Sequence, residues 1–213
     1  MTLNINIFSD LICPWCFIGK RRLSKAISLL NEKYEVNIAW YPFQLNPQMP
    51  PKGIDRKVYR TAKFGSLSKS LELDVKVVEA GAEEGIHFAF ERIQRTPNTF
   101  DGHRLIWLAG REGIQDDLVE ALFQSYFTQG EDISDRSILI EIAQRTGLSA
   151  ARVENFFYSG EGVEEVRQEE KKARQLEIGS VPFFVVNKFG LSGAQLPDVF
   201  IALFEKVMQL END

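Results

Sequence analysis

The chain has 213 residues, 44% of them hydrophobic, with 16 phenylalanines and a formal net charge of −5. That length and apolar content suit one large domain, two small ones or a single domain with an insertion, each with a substantial core. The acidic balance argues against a general affinity for phosphate backbones or anionic lipid, so neither nucleic acid nor a membrane surface is expected as a partner.

Leu3, Ile5 and Ile7 alternate with Asn4, Asn6 and Phe8, the period-two pattern of a strand. The same stretch has neither the basic start nor the long apolar run of a secretory signal, and no later run reaches the roughly 18 apolar residues of a membrane span. A cytoplasmic protein is expected. Ser9 to Ile12 reads as a loop that delivers Cys13 to a helix predicted over 14–31. Pro14 suits the first helical position, where its missing N–H would have had no partner. Cys16, Leu23, Ala26, Ile27 and Leu30 recur on one face, while Lys20, Arg21, Arg22 and Lys25 mostly lie away from it and are expected to be solvated. Gly19 permits a bend early in this helix. Val36, Ile38 and Trp40 then alternate as a second strand, ended by Pro42, Pro47, Pro50 and Pro51.

From about residue 46 to 176 the period turns helical, with glycines at plausible helix ends. Thr96 and Pro97 are expected as N-cap and first residue of a helix carrying Phe100, Leu105, Trp107 and Leu108. Helices are also expected over 116–128, 134–146 and 149–159, each opened by a capping Asp or Ser. Residues 163–176 read as a mostly exposed helix in which Glu170 can pair with Arg174 at i,i+4. Phe183 to Val186 and Phe189 to Ser192 read as strands joined by a tight turn at Asn187-Lys188. Pro197 opens a final helix with Phe200, Leu203, Phe204, Val207 and Leu210 on one side.

The chemistry concentrates in Cys13-Pro14-Trp15-Cys16, which holds the only two cysteines. On one helical turn two sulfurs can join as a disulfide or part as thiols with little movement of the backbone. A helix start favours negative charge through its unpaired N–H groups and dipole, so Cys13 reads as the nucleophile. Cys16, one turn inside, reads as the more buried resolving thiol. Two alternatives stand beside this. Both cysteines can be inert core residues, or half of a zinc site, although His87 and His103 are the only histidines and their spacing matches no finger. No metal is expected. Asp10, three residues before Cys13, can assist proton transfer or serve a turn, the commoner role for an Asp ahead of a helix. Trp15 is expected at the rim of the site. His103 and Arg104 lie in the helical stretch and stay off the catalytic list. The phenylalanines fall mostly at core spacing.

The motif is flanked by Ser9-Asp10-Leu11-Ile12 and by Pro42-Phe43-Gln44-Leu45-Asn46-Pro47. Arg95-Thr96-Pro97-Asn98-Thr99, Gly179-Ser180-Val181-Pro182-Phe183-Phe184 and Ser192-Gly193-Ala194-Gln195 follow. Together these stretches resemble the thioredoxin superfamily, and within it the DsbA-like branch with its FrnE-type dithiol-disulfide oxidoreductases. The resemblance implies an α/β thioredoxin fold, a mixed sheet flanked by helices, whose halves at 1–45 and 177–213 are separated by an all-helical subdomain at 46–176. It implies a cis proline at Pro182 that packs beside the cysteines and shapes the site, with Val181 contacting substrate next to Pro14 and Trp15. The implied activity is thiol-disulfide exchange or isomerisation on protein or small-molecule substrates, with no bound cofactor and glutathione as a possible redox substrate. The same fold serves kappa-class glutathione transferases and 2-hydroxychromene-2-carboxylate isomerases, which bind glutathione, typically have Ser near the first cysteine position and lack the Cys-x-x-Cys motif. A chaperone with regulatory thiols is a third alternative. Oligomeric state is left open.

Overall fold

Leu3, Ile5 and Ile7 are at most 1% exposed, and their burial places β1 (Thr2–Ser9) inside a four-stranded sheet. The computed structural model describes residues 2–30 and 34–210. β1 pairs in parallel with β2 (Glu35–Pro42), Ile5 beside Ile38 and Ile7 beside Trp40. On its other side β1 runs antiparallel to β5 (Phe183–Val186), Ile7 opposite Phe184. β5 turns back through Asn187, at φ 52°, into β6 (Phe189–Ser192), giving the order β2-β1-β5-β6. The parallel step from β1 to β2 is bridged by α1 (Pro14–Ser28), and α9 (Pro197–Leu210) packs on α1 and β5. This is the thioredoxin arrangement expected from the sequence. The predicted end of α1 at residue 31 lies outside the described residues.

The segment between the halves holds β3 (Ile54–Asp55), α2 (Arg56–Phe64), α3 (Leu67–Ala82), β4 (Arg95–Thr96), α4 (Phe100–Arg111) and α5 (Gln115–Gln124). A π-helical turn at Ser125–Gln129 follows, then α6 (Arg136–Arg145), α7 (Ala150–Tyr158) and α8 (Val163–Gln175). It is helical except for one feature absent from the sequence reading, an antiparallel ribbon of β3 and β4. Arg95 holds that ribbon together by donating Nη2 to the carbonyls of Lys52 and Gly53 at 2.6 and 3.0 Å. Gly53 is required there. Its φ is +66°, and a Cβ would stand 2.4 Å from the carbonyl oxygen of Thr96.

The ribbon corrects the expected start of α4. Thr96 is part of β4, Pro97 lies in the connection, and the helix begins at Phe100, whose N–H donates to Asn98 Oδ1 at 2.9 Å. α6 is capped by Asp135 rather than Ser134, and α5 has no side-chain cap, its Asp116 and Asp117 lying in the first turn. Ser149 caps α7 as expected. On α8, Glu170 is buried and accepts the Gln44 N–H at 3.0 Å, so it serves the β2 side of the fold rather than Arg174.

The basic side of α1 is a second correction. Lys20 and Arg22 are only 5% and 7% exposed. Lys20 Nζ meets Asp116 at 2.8 Å and Glu120 at 3.3 Å, and Arg22 meets Glu84 at 2.8 Å. The helical segment brings these carboxylates onto the face that amphipathicity assigned to water. Phe17 of α1 stacks on Phe123 at 5.2 Å and lies edge-on to Phe88 at 6.2 Å. One buried apolar cluster thus runs from Ile5 and Ile7 through Phe17 and Phe123 to Phe156.

Candidate active site

Cys13 is the N-cap of α1, extended at φ −94° and ψ 108°, with Pro14 at the first helical position. No side chain caps this helix and its first turn holds no acid, which leaves the positive end of the helix dipole uncompensated. The turn is closed by the Cys13 N–H donating to the Asp10 carbonyl and the Cys16 N–H to the Cys13 carbonyl, both at 3.0 Å. The two thiols are free. Cys13 is 5% exposed and Cys16 1%. Burial pushes the Cys16 thiol well above its ordinary range, and its hydrogen bond to Cys13 and the charge there add to the rise. Hydrogen bonds from the Ser9 side chain and the Asp10 backbone oppose part of it.

Val181 and Pro182 close over this turn. Their peptide bond is cis, and the Cys13 thiol donates to the Val181 carbonyl at 3.5 Å. The Pro182 carbonyl accepts the Gly193 N–H at 2.8 Å. Gly19 allows the approach, since a Cβ there would stand 3.1 Å from both Pro182 Cγ and Phe184 Cζ. α1 runs as one helix through Gly19, from Pro14 to Ser28. Of the expected site residues, the structure therefore brings Cys13, Cys16, Val181 and Pro182 together, with half-buried Pro14 and exposed Trp15 at the edge.

Asp10 and His103 form a buried pair behind the turn. Asp10 is 0% exposed, its Oδ1 lies 3.2 Å from His103 Nε2, and its Oδ2 accepts the Leu45 N–H at 2.7 Å. Both carboxylate oxygens are thus engaged in holding β1, β2 and α4 in place. Arg104 is likewise structural. Its Nη2 donates to the carbonyls of Phe156, Ser159 and Glu161 at 3.1, 3.1 and 2.8 Å. Sequence reasoning missed Glu169, which shares a small cavity with Ser9 and His103. Burial raises its carboxyl to about 7; His103 and Lys172 pull it down and Glu165 pushes it up. Its spacing from Asp10 and His103 carries no motif, so only the fold reveals the cluster.

A cleft of about 300 Å³ opens at Cys13. Pro14, Trp15, α2 and α3 all line it, and Cys16 is not among the lining residues. Arg60 of α2 donates to Asp74 of α3 at 2.6 Å and to the Ser70 carbonyl at 3.0 Å, tying the two helices together.

A thioredoxin-type sheet whose first helix begins with a free dithiol facing a cis proline defines the class of thiol-disulfide exchange folds. The chain belongs to the DSBA-like thioredoxin domain family, whose model matches residues 4–204. That family comprises disulfide oxidoreductases and isomerases, together with some other enzymes. The chain is similar to the probable DsbA oxidoreductase SCO1869 of Streptomyces coelicolor, with 30% identity and a TM-score of 0.90 over 97% of this chain and 90% of that one. A 2-hydroxychromene-2-carboxylate isomerase shares the fold at 15% identity and a TM-score of 0.71, covering 97% of this chain and 95% of that one. So does the cytosolic disulfide reductase DsbM of Pseudomonas aeruginosa, in a structure with GSH, at 14% identity and a TM-score of 0.68, covering 97% and 99%.

Proposed function

We propose that the protein is a cytoplasmic thiol-disulfide oxidoreductase in which Cys13 exchanges and Cys16 resolves, with no bound cofactor. The observation that carries this reading is the asymmetry of the two thiols, Cys13 opening on the cleft and Cys16 buried one turn behind it. In the reducing direction the Cys13 thiolate attacks a substrate disulfide and one substrate thiolate leaves. Cys16 then gives up its proton and attacks Cys13 Sγ, releasing the second substrate thiolate and forming the Cys13–Cys16 disulfide. In the oxidising direction a substrate thiolate attacks Cys13 and Cys16 leaves, taking up a proton, before a second substrate thiolate frees Cys13. The Ser9 hydroxyl and the Asp10 N–H stabilise the Cys16 thiolate whenever it forms.

Pro14, Trp15, Val181 and Pro182 form the docking edge in this proposal, and glutathione is a redox substrate. The structure of DsbM with GSH supports the last point, and its cytosolic setting supports the location. Among the described residues no helix is long and apolar enough to cross a membrane. The isomerase fold match raises a competing assignment as a glutathione-dependent isomerase or transferase, but that chemistry has no use for Cys16. The test is a redox titration of the purified protein in glutathione buffers, following thiol content and tryptophan fluorescence, with Cys13→Ser as control. A reversible two-electron transition is expected. A midpoint near about −270 mV marks a reductase and one near about −120 mV an oxidant. A folded protein with no transition overturns the assignment.

A further inference from the structure

Resting on that exchange chemistry, we propose that the cleft beside Cys13 selects disulfides of low molecular weight that carry a carboxylate on an apolar body. The first argument is charge. In a chain of net charge −5, the cleft is lined by Arg56, Arg60, Lys63 and Lys76 against the single carboxylate of Asp74. Arg60 and Asp74 neutralise one another at 2.6 Å. Arg56 reaches Asp74 only at 3.3 Å and lies over the Phe90 ring at 5.1 Å. Lys63 donates to the Tyr59 hydroxyl at 2.8 Å, and among the described residues Lys76 meets no carboxylate at ion-pair distance. An excess of positive charge on low-dielectric walls concentrates anions at that surface.

The second argument is the origin of the lining. α2 contributes no buried residue; Arg56 and Arg60 tie it to Asp74 of α3, while Lys63 is exposed and makes no contact that packing requires. Arg56, Tyr59, Arg60, Lys63 and Phe64 recur at the i, i+3, i+4, i+7, i+8 spacing of one helical face, and that face lines the cleft. The third is size and polarity. Between the cations lie Phe64, Leu73, Phe90 and Phe127, which favour an apolar body over a bare polar anion. A volume of about 300 Å³ lies within the range for small ligands. Cys13 is 5% exposed and is reached from this cleft, which favours a small disulfide over one embedded in a folded protein.

The test uses the reduced full-length protein and three probes. They are 5,5′-dithiobis(2-nitrobenzoate), aromatic with two carboxylates; 4,4′-dithiodipyridine, aromatic and uncharged; and cystamine, cationic. In each reaction Cys13 attacks one probe sulfur and expels a thiolate. Cys16 then displaces the second, so two electrons pass to the probe, and the two thiol protons go to the released products, or to solvent where the product is the stable thionitrobenzoate anion. Rates are normalised to the same probe reacting with 2-mercaptoethanol, which removes intrinsic reactivity. The expected order is anionic, then uncharged, then cationic. The double variant Lys63→Gln/Lys76→Gln lowers the anionic-to-uncharged ratio about tenfold, the effect of two charges at about 7 Å in near-aqueous surroundings. Lys188→Gln, in the β5–β6 turn, keeps the native ratio. Equal normalised rates for the three probes overturn the selectivity, as does a ratio insensitive to the double variant or equally lowered by Lys188→Gln. Faster turnover of insulin disulfides than of the anionic probe also overturns it. A Cys13→Ser protein that still reduces all three probes refutes the exchange chemistry itself, a result distinct from loss of selectivity.

Discussion

The thiol of Cys13 meets the carbonyl oxygen of Val181 at 3.5 Å, across 168 residues of sequence. The two halves of the thioredoxin fold close on each other at this contact. It engages a carbonyl beside the cis Pro182, on the edge proposed above to dock substrate. In the exchange reaction proposed above, Cys13 bonded to a substrate sulfur has no donor left, and the Val181 carbonyl is free to accept one from the substrate. On that proposal the exchanging thiol and the docking edge are coupled through one hydrogen bond.

Because Cys13 faces the cleft and Cys16 lies behind it, the two single variants are expected to differ in kind. Cys16→Ser accumulates a mixed disulfide on Cys13, read as an added substrate mass by non-reducing mass spectrometry. Cys13→Ser accumulates none. Equal adducts on both variants contradict the assigned roles.

Gly19→Ala is expected to destabilise the protein although alanine is the better helix former by about 1 kcal/mol. The new methyl stands 3.1 Å from Pro182 Cγ and from Phe184 Cζ, and Phe184 is fully buried. Overpacking of such a contact costs about 1–3 kcal/mol, so the net loss is up to about 2 kcal/mol, measured by urea unfolding. A stabilised variant shows that the segment carrying Pro182 yields more easily than a packed core.

The Asp10–His103 pair is expected to be worth more to the fold than a surface ion pair. Asp10→Ala leaves both the Leu45 N–H and the His103 ring nitrogen without their partner at a site closed to water. A loss of about 2–4 kcal/mol follows from the unmet hydrogen bonds. Asp10→Asn keeps an acceptor for one of them and costs less. Urea midpoints for the two variants measure the difference, and equal midpoints remove the argument.

How much of this was legible beforehand follows the range of each interaction. Leu3, Ile5 and Ile7 announce β1 because alternation is local, and Cys13 and Cys16 announce the site because one helical turn contains them. Asn187 and Pro197 marked a turn and a helix start for the same reason. Amphipathicity assigns Lys20 and Arg22 to water because their partners Asp116, Glu120 and Glu84 are remote in sequence. The capping signal at Thr96-Pro97 misplaces the start of α4 because Arg95 draws its strand onto the carbonyls of Lys52 and Gly53, which claims Thr96 for the ribbon. Glu170 escaped because the group it serves, the Gln44 N–H, belongs to the far side of the insertion.

Glu169 gives the fold a pH dependence of definite sign. Burial raises its carboxyl from an ordinary value of 4.5 to about 7. Between those values the folded protein holds a proton that the unfolded chain has lost, so stability falls as pH rises through that window and levels off above it. Below the lower value both states are protonated and Glu169 contributes no slope. Glu169→Gln, which cannot ionise, is expected to remove this part of the slope and to be more stable than the native protein at pH 8. Thermal midpoints of the two proteins, taken in steps from pH 4.5 to 8 at constant ionic strength, measure the difference. Parallel curves locate the titration in another group. A variant that is less stable at pH 8 shows that the ionised carboxylate is held by His103 and Lys172 more strongly than burial opposes it.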